Sequence, residues 1–313
     1  MDRLETTGRF ADLIDECLDL IAASSTGVES RVPVRAESLP SLLEQCRALA
    51  QGPAVEPIRT VHHFACTGGT LVLKFLAAMP NTLTISEVEP HSRLNPLESR
   101  RFSPSDWITL GRASNRPLSE GLVDELFFAG LQALLDDCTN RGLRLILRDH
   151  AHSHYCMGEE VGPERGLRAL VTSRYPTRSV VTVRHPLDSF LSLERNHWLH
   201  FEPPSLEEYS RRYHRFLDDH DSLPRFHYEE FVTDSDAQVA RLCDELALPF
   251  NPAFQLTFGQ FRFSGDSGRT SPVLGTRERR PVPEEIQSAL VGAERFLALC
   301  ERLGYDLDPS QHR

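Results

Sequence analysis

Residues 180–193 read VVTVRHPLDSFLSL. The opening Val-Val-Thr-Val is a β-branched run of the kind that fits a pleated, buried strand. At Arg184-His185-Pro186 the pattern turns, and the residues from there on read as a helix. A strand that hands over to a helix within three residues is the unit step of an α/β protein. Two features of this step are unexpected of packing alone: the buried strand ends on Arg184, and Ser192 waits eight residues on.

The same step recurs on both sides of this stretch. Strands are expected at 58–65, 82–87, 143–149, 178–184 and 223–228, with helices from Thr70 and over 119–138, 187–196, 205–220, 234–247 and 284–303. Such alternation predicts an α/β fold, a parallel sheet flanked by helices on both faces. Ser205 followed by Glu208 fits a capping box and fixes the start of one helix. Residues 1–57 show helical spacing in two stretches and then Pro53 and Pro57, which predicts a helical N-terminal extension before an α/β domain over 58–313. Residues 258–283 are rich in Gly, Ser, Pro and Arg and predict a long loop, of a length that is uncommon unless it covers a ligand.

Composition narrows the classes of function. A formal charge of −11 disfavours a nucleic-acid surface, because nonspecific affinity comes from clustered Lys and Arg on phosphates. An anion would have to be held in a local pocket. The seven cysteines are scattered without a CxxC pair, which suits reduced thiols in a cytoplasmic setting. The first residues carry acids throughout and do not read as a signal peptide, and no run approaches the ~18 apolar residues of a membrane span.

Three segments carry chemistry-bearing residues. In HHFACTGGTLVLKF a strand runs into Thr67, Gly68, Gly69 and Thr70 and then a helix. Glycines there let backbone amides approach a phosphate or sulfate at the helix N-terminus. A plain tight turn fits equally, since the Gly-Lys of a Walker A loop is missing. Arg184 stands at a strand end, where ligands bind in open α/β sheets, and its planar fork matches phosphate oxygens. Ser192 would add a hydroxyl to the same anion; the rival reading is a salt bridge from Arg184 to Asp188.

The third segment, LILRDHAHSHYC, is a strand ending on Arg148, Asp149 and His150. Arg148 and His150 lie two apart and so point to one side, which suits charge stabilisation beside a proton acceptor. His150, His152 and His154 could also share a metal. In an extended segment the outer two lie ~13 Å apart at 3.3 Å per residue, so that reading requires a bend.

Together these segments resemble the sulfotransferases that use 3′-phosphoadenosine 5′-phosphosulfate as co-substrate. RHPLDSFLS is similar to that family's 3′-phosphate motif, LRDHAH to its strand ending in a basic residue and a catalytic histidine, and the strand-loop-helix to its phosphosulfate loop. The likeness extends over residues 58–303. It implies a P-loop type of nucleotide-binding fold, with Thr67, Gly68, Gly69 and Thr70 at the 5′-phosphosulfate and Arg184 and Ser192 at the 3′-phosphate. By the same resemblance Tyr228 lies near the adenine, and Arg269, in SGDSGRTS, closes over the 3′-phosphate. Arg148 would stabilise the sulfuryl group and His150 would be the base, with Glu87 in reserve. Transfer of this kind needs no metal.

In one place the chain departs from that pattern. Thr67 stands where the family usually has Lys or Arg, so either Arg148 supplies the missing charge or transfer is slow. The expected activity is sulfuryl transfer to a hydroxyl or amine on a small-molecule or carbohydrate acceptor, with no nucleic-acid or membrane partner. A P-loop kinase using ATP, and a nucleotide-binding protein of the same fold without catalysis, remain as alternatives.

Overall fold

The computed structural model describes residues 56–94, 106–264, 274–275 and 281–306. The chain divides into two units, Met1–Pro53 and Ala54–Arg313, and the described residues belong to the second. The expected N-terminal helices and Arg269 lie outside the described residues.

Five strands form one sheet, in which every pairing is parallel: β1 (Ile58–His63), β2 (Thr82–Val88), β3 (Arg144–Asp149), β4 (Thr177–Val183) and β5 (Arg225–His227), in the order β2-β3-β1-β4-β5. Twelve α-helices are described: α1 (Gly69–Ala77), α2 (Trp107–Arg112), α3 (Glu120–Asn140), α4 (His152–Tyr155), α5 (Leu167–Arg174), α6 (Pro186–Arg195), α7 (Leu206–Asp219), α8 (Tyr228–Thr233), α9 (Ser235–Glu245), α10 (Phe254–Thr257), α11 (Glu284–Leu290) and α12 (Glu294–Leu303). The fold class expected from the sequence is the one observed. β1 is central, and the chain leaves β1 and β4 toward opposite edges. That makes their carboxyl ends the switch point at which α/β sheets bind ligands.

Alternation along the strands assigns the two faces. Val61 on β1, Ile146 on β3 and Val180 on β4 point to one face, where they pack with Leu73, Phe75 and Leu76 of α1 and with Phe231, Val239 and Leu242 of α8 and α9. Val181 and Val183 point to the other and pack with Tyr209, Tyr213 and Phe216 of α7. Leu145 and Leu147 share that second face with Leu131 of α3 and Leu167 and Val171 of α5. Each fully buried side chain of this size contributes about 1.5–3 kcal/mol relative to leaving it exposed.

Local chemistry explains where the helices start. Pro186 opens α6, where its missing N–H costs nothing, and the imidazole Nδ1 of His185 accepts from the Leu187 amide at 3.2 Å. Ser205 caps α7 through Glu208 N at 3.2 Å, as expected. The reciprocal half of the box is not made. The Glu208 carboxylate turns to Arg211 and to Arg212, both at 2.7 Å. Arg212, wholly buried, donates in turn to the carbonyls of Tyr155, Met157 and Gly158 and ties α7 to the chain beyond α4.

The sequence expectations fail in two places. The strand expected at 223–228 is only three residues long, because Tyr228 already belongs to α8. The C-terminal helix expected over 284–303 is two helices, broken where Gly292 takes φ 85°, a left-handed conformation open to glycine.

Candidate functional site

The carboxyl ends of β1 and β4 place two of the expected segments side by side. After β1 the chain turns at Cys66 (φ 62°) and Gly68 (φ 93°) and enters α1. No side chain caps that helix, and its first internal bond is Val72 N to Gly68 O. The amides before it have no carbonyl within the helix and carry the positive end of its dipole.

Both glycines are required by close neighbours. A Cβ on Gly68 would stand 2.6 Å from the Tyr228 ring, and one on Gly69 2.5 Å from the His63 imidazole. The turn is therefore clamped between two aromatic rings, with Gly69 buried and Gly68 partly buried.

Thr67 departs from expectation. Its hydroxyl donates to the carbonyls of Phe64 (2.7 Å) and Thr182 (3.1 Å), its amide bonds back to Phe64 at 3.3 Å, and the residue is fully buried. Both of its donors are committed to the loop and to β4, so Thr67 braces the turn from within. The backbone of Gly68 and Gly69 leads from it into the start of α1.

Arg184 follows β4 directly. Its guanidinium carbon lies 4.7 Å from the centre of the Tyr228 ring, the same ring that abuts Gly68. Nη1 donates to Cys66 O at 3.3 Å, whereas Nε is buried and has no hydrogen-bond partner. Among the described residues no carboxylate lies within ion-pair distance of Arg184, which removes the Asp188 salt bridge as an explanation of its place. Ser192 lies two turns along α6, and its hydroxyl donates to Asp188 O at 2.8 Å. It is not hydrogen-bonded to Arg184, so joining the same anion would require it to rotate.

Arg148 ends β3 on the face that carries α1 and is 1% exposed. A guanidinium has five N–H donors, and all five are used. Nε and Nη2 donate to Ser86 Oγ (3.0 and 2.6 Å), Nη1 to Thr70 Oγ1 (3.0 Å) and His63 Nε2 (3.3 Å), and Nη2 also to Ser264 O (2.8 Å), while the Glu87 carboxylate forms an ion pair with Nη2 at 3.2 Å. The tautomer of His63 follows from its other nitrogen: Nδ1 faces the Phe64 carbonyl at 3.0 Å and must donate there, so Nε2 accepts from Arg148. Burial first, then the Arg148 charge, holds this imidazole down to about 3. It stays neutral at any working pH. Arg148 is thus braced behind the Gly68-Gly69 turn and reaches it through Thr70.

Glu87 occupies an irregularity in the β2/β3 ladder and takes φ 56°, a conformation that costs a non-glycine residue roughly 1–2 kcal/mol. Its carboxylate pairs with Arg148 and also acts on His150. Burial is the main cause holding the His150 imidazole below its ordinary value, while Glu87 and then Asp149 pull it back up. His150 is half-buried at the end of β3, neutral, and so able to accept a proton.

The three histidines proposed as an alternative metal group diverge. His152 turns toward Trp198 and His200, with ring centres 5.9 and 5.8 Å away, and His154 lies beside the buried Glu89 carboxylate at 3.4 Å. Sequence reasoning missed His63, which it read only as strand interior. It also missed Ser86, which fixes Arg148 from β2.

A phosphate or sulfate group would meet two features here. Arg184 Nε is a buried donor without an acceptor, and Gly68 and Gly69 stand at the amino end of α1, which no side chain caps.

Residues 64–252, more than half of the chain, match the profile of a sulfotransferase family. No curated protein matches the sequence. Among solved structures the chain is similar to the sulfotransferase domain from the Synechococcus PCC 7002 olefin synthase, with 17% identity over 80% of this chain and 95% of that one and a TM-score of 0.47. It is similar also to the sulfotransferase domain from the curacin biosynthetic pathway, with 13% identity over 80% of this chain and 98% of that one and a TM-score of 0.45.

Proposed function

The chain belongs to the sulfotransferase family, and on that premise we propose that it moves a sulfuryl group from 3′-phosphoadenosine 5′-phosphosulfate to a hydroxyl of a small-molecule acceptor. The observation that carries the choice of donor is the Tyr228 ring. It touches Gly68 of the anion loop and Arg184 just beyond β4 at once, so one nucleotide can reach both the helix-terminal amides and the guanidinium.

When bound, the nucleotide supplies an activated sulfuryl group on a phosphate leaving group. Gly68, Gly69 and Thr70 hold its 5′ end through helix-terminal amides and a hydroxyl. Arg184 takes the 3′-phosphate through the nitrogen that lacks a partner, and Tyr228 lines the space between. Ser192 and Arg269 are assigned to the same phosphate by family resemblance alone. Arg148 donates to Thr70 Oγ1, which polarises that hydroxyl toward an anion. In this way the buried guanidinium stands in for the cation absent at Thr67.

As sulfur gains the acceptor oxygen it loses the bridging oxygen of the donor, and the acceptor proton passes to the His150 imidazole. Glu87 favours the resulting imidazolium by its charge. Its own carboxylate is engaged in an ion pair with Arg148.

The test is product analysis with the whole protein, the labelled nucleotide and a panel of hydroxyl and amine acceptors, without added metal. Acceptor-dependent release of 3′-phosphoadenosine 5′-phosphate together with a sulfated product supports the reading. Tight nucleotide binding with no transfer to any acceptor would leave a binding protein of the same fold. Magnesium-dependent phosphoryl transfer from ATP would make the chain a kinase.

A further inference from the structure

On the face of the sheet turned away from Arg148, the ends of β1 and β3 present a second cluster. The pairing of Val61 with Arg148 makes His62 and Asp149 the next neighbours across the two strands, on the opposite face by alternation. His62 Nδ1 and Asp149 Oδ2 are 2.7 Å apart. His220, which ends α7, brings its ring to 4.8 Å from that of His62. One ligand atom from each of the three lies within 4.8 Å of the other two. The residues are 0, 4 and 6% exposed.

Two observations besides proximity point to a cation here. Asp149 Oδ1 is shut off from solvent and has no hydrogen-bond partner. His220 makes one hydrogen bond among the described residues, from Nδ1 to Phe216 O at 2.8 Å, and so directs no proton from Nε2. A buried carboxylate oxygen without a donor lacks what it needs to offset desolvation. The second observation is the support behind the rings. His62 Nε2 meets Thr60 Oγ1 at 2.9 Å, which itself meets Ser179 Oγ at 2.7 Å. Each imidazole thus has an oxygen partner on one nitrogen, Thr60 Oγ1 on His62 Nε2 and Phe216 O on His220 Nδ1, an arrangement that orients metal-binding histidines.

We propose that His62, Asp149 and His220 bind a divalent transition-metal ion of the zinc class, through two imidazole nitrogens and a carboxylate oxygen. Two nitrogens and one oxygen suit zinc and its neighbours, whereas calcium and magnesium take oxygen ligands. Metal bonds of about 2.0–2.2 Å place tetrahedral ligand atoms about 3.3 Å apart. The short His62–Asp149 contact therefore opens slightly as its shared proton leaves, and the His220 ring moves inward from the end of α7. The bound ion joins α7 to β1 and β3 directly behind His150. It is a staple for the strand end, on the opposite face from the anion loop, and takes no part in sulfuryl transfer.

The experiment strips the full chain with a chelator, dialyses it against Zn²⁺ or Co²⁺ and measures the metal retained through gel filtration. The wild type should keep about one equivalent, give the visible Co²⁺ absorption of a nitrogen- and oxygen-bound site, and melt at a higher temperature with zinc than without. His220→Gln and Asp149→Asn should retain none, and zinc should leave the melting temperature of His220→Gln unchanged. His152→Gln and His197→Gln should bind as the wild type does. A wild type that keeps no more metal than His220→Gln would overturn the proposal. So would loss of metal in His152→Gln with retention in His220→Gln.

Discussion

The imidazole of His63 occupies the space that a side chain at Gly69 would need: a Cβ there would stand 2.5 Å from the ring. The contact links the anion loop to the cation behind it, because the same imidazole accepts from Arg148. Gly69→Ala should therefore push His63 away and loosen Arg148. Overpacking of this kind costs about 1–3 kcal/mol, read as a lower denaturation midpoint. In the double variant with His63→Ala the penalty should be smaller than the sum of the two single ones. Additive losses would mean that the two residues do not press on each other.

Thr67→Val keeps the shape of the side chain and removes the hydroxyl that donates to Phe64 O and Thr182 O. Buried carbonyls left without that donor should cost about 1–3 kcal/mol of stability. Nucleotide affinity should fall less than in Arg184→Ala, since Thr67 lies behind the loop. A large loss of affinity at unchanged stability would return Thr67 to the lining of the site.

Arg184→Ala removes a charge-assisted contact to phosphate worth roughly 1.5–3 kcal/mol, which weakens binding of 3′-phosphoadenosine 5′-phosphate about 10- to 100-fold. Thermal stability should hardly change, because no carboxylate among the described residues is paired with this guanidinium. Calorimetry and a melting curve on the same sample separate the two effects.

Much of this was legible in the sequence because the strands announce their own ends. An apolar run that stops on Arg184 or on Arg148 marks both the carboxyl end of a strand and a polar site, and the Gly68-Gly69 pair marks the turn. Side-chain direction at the ends was not legible. Nothing in the residue types says that the Thr67 hydroxyl turns inward, or that Arg148 spends all five donors on Ser86, His63, Thr70 and Ser264. His63 looked like an ordinary strand residue, since its role depends on a glycine six residues later packing beneath it. The break at Gly292 did have a signal, a glycine inside a helical pattern, and helical spacing on both sides masked it.

His150→Ala should reduce turnover by about 10²- to 10⁴-fold, the usual range for loss of a general base, with nucleotide affinity little altered. Glu87→Gln should cost less, because Glu87 acts on His150 and Arg148 from beside them. A larger loss in Glu87→Gln would transfer the role of base to that carboxylate.

Whether this site reads a 3′-phosphate is decided by calorimetric titration of the metal-free whole protein with 3′-phosphoadenosine 5′-phosphate and with AMP. The bisphosphate should bind at least ~10-fold more tightly, the lower bound of the Arg184 contact, and Arg184→Ala should abolish most of the difference. Equal affinity for the two nucleotides in the wild type would contradict a 3′-phosphate site.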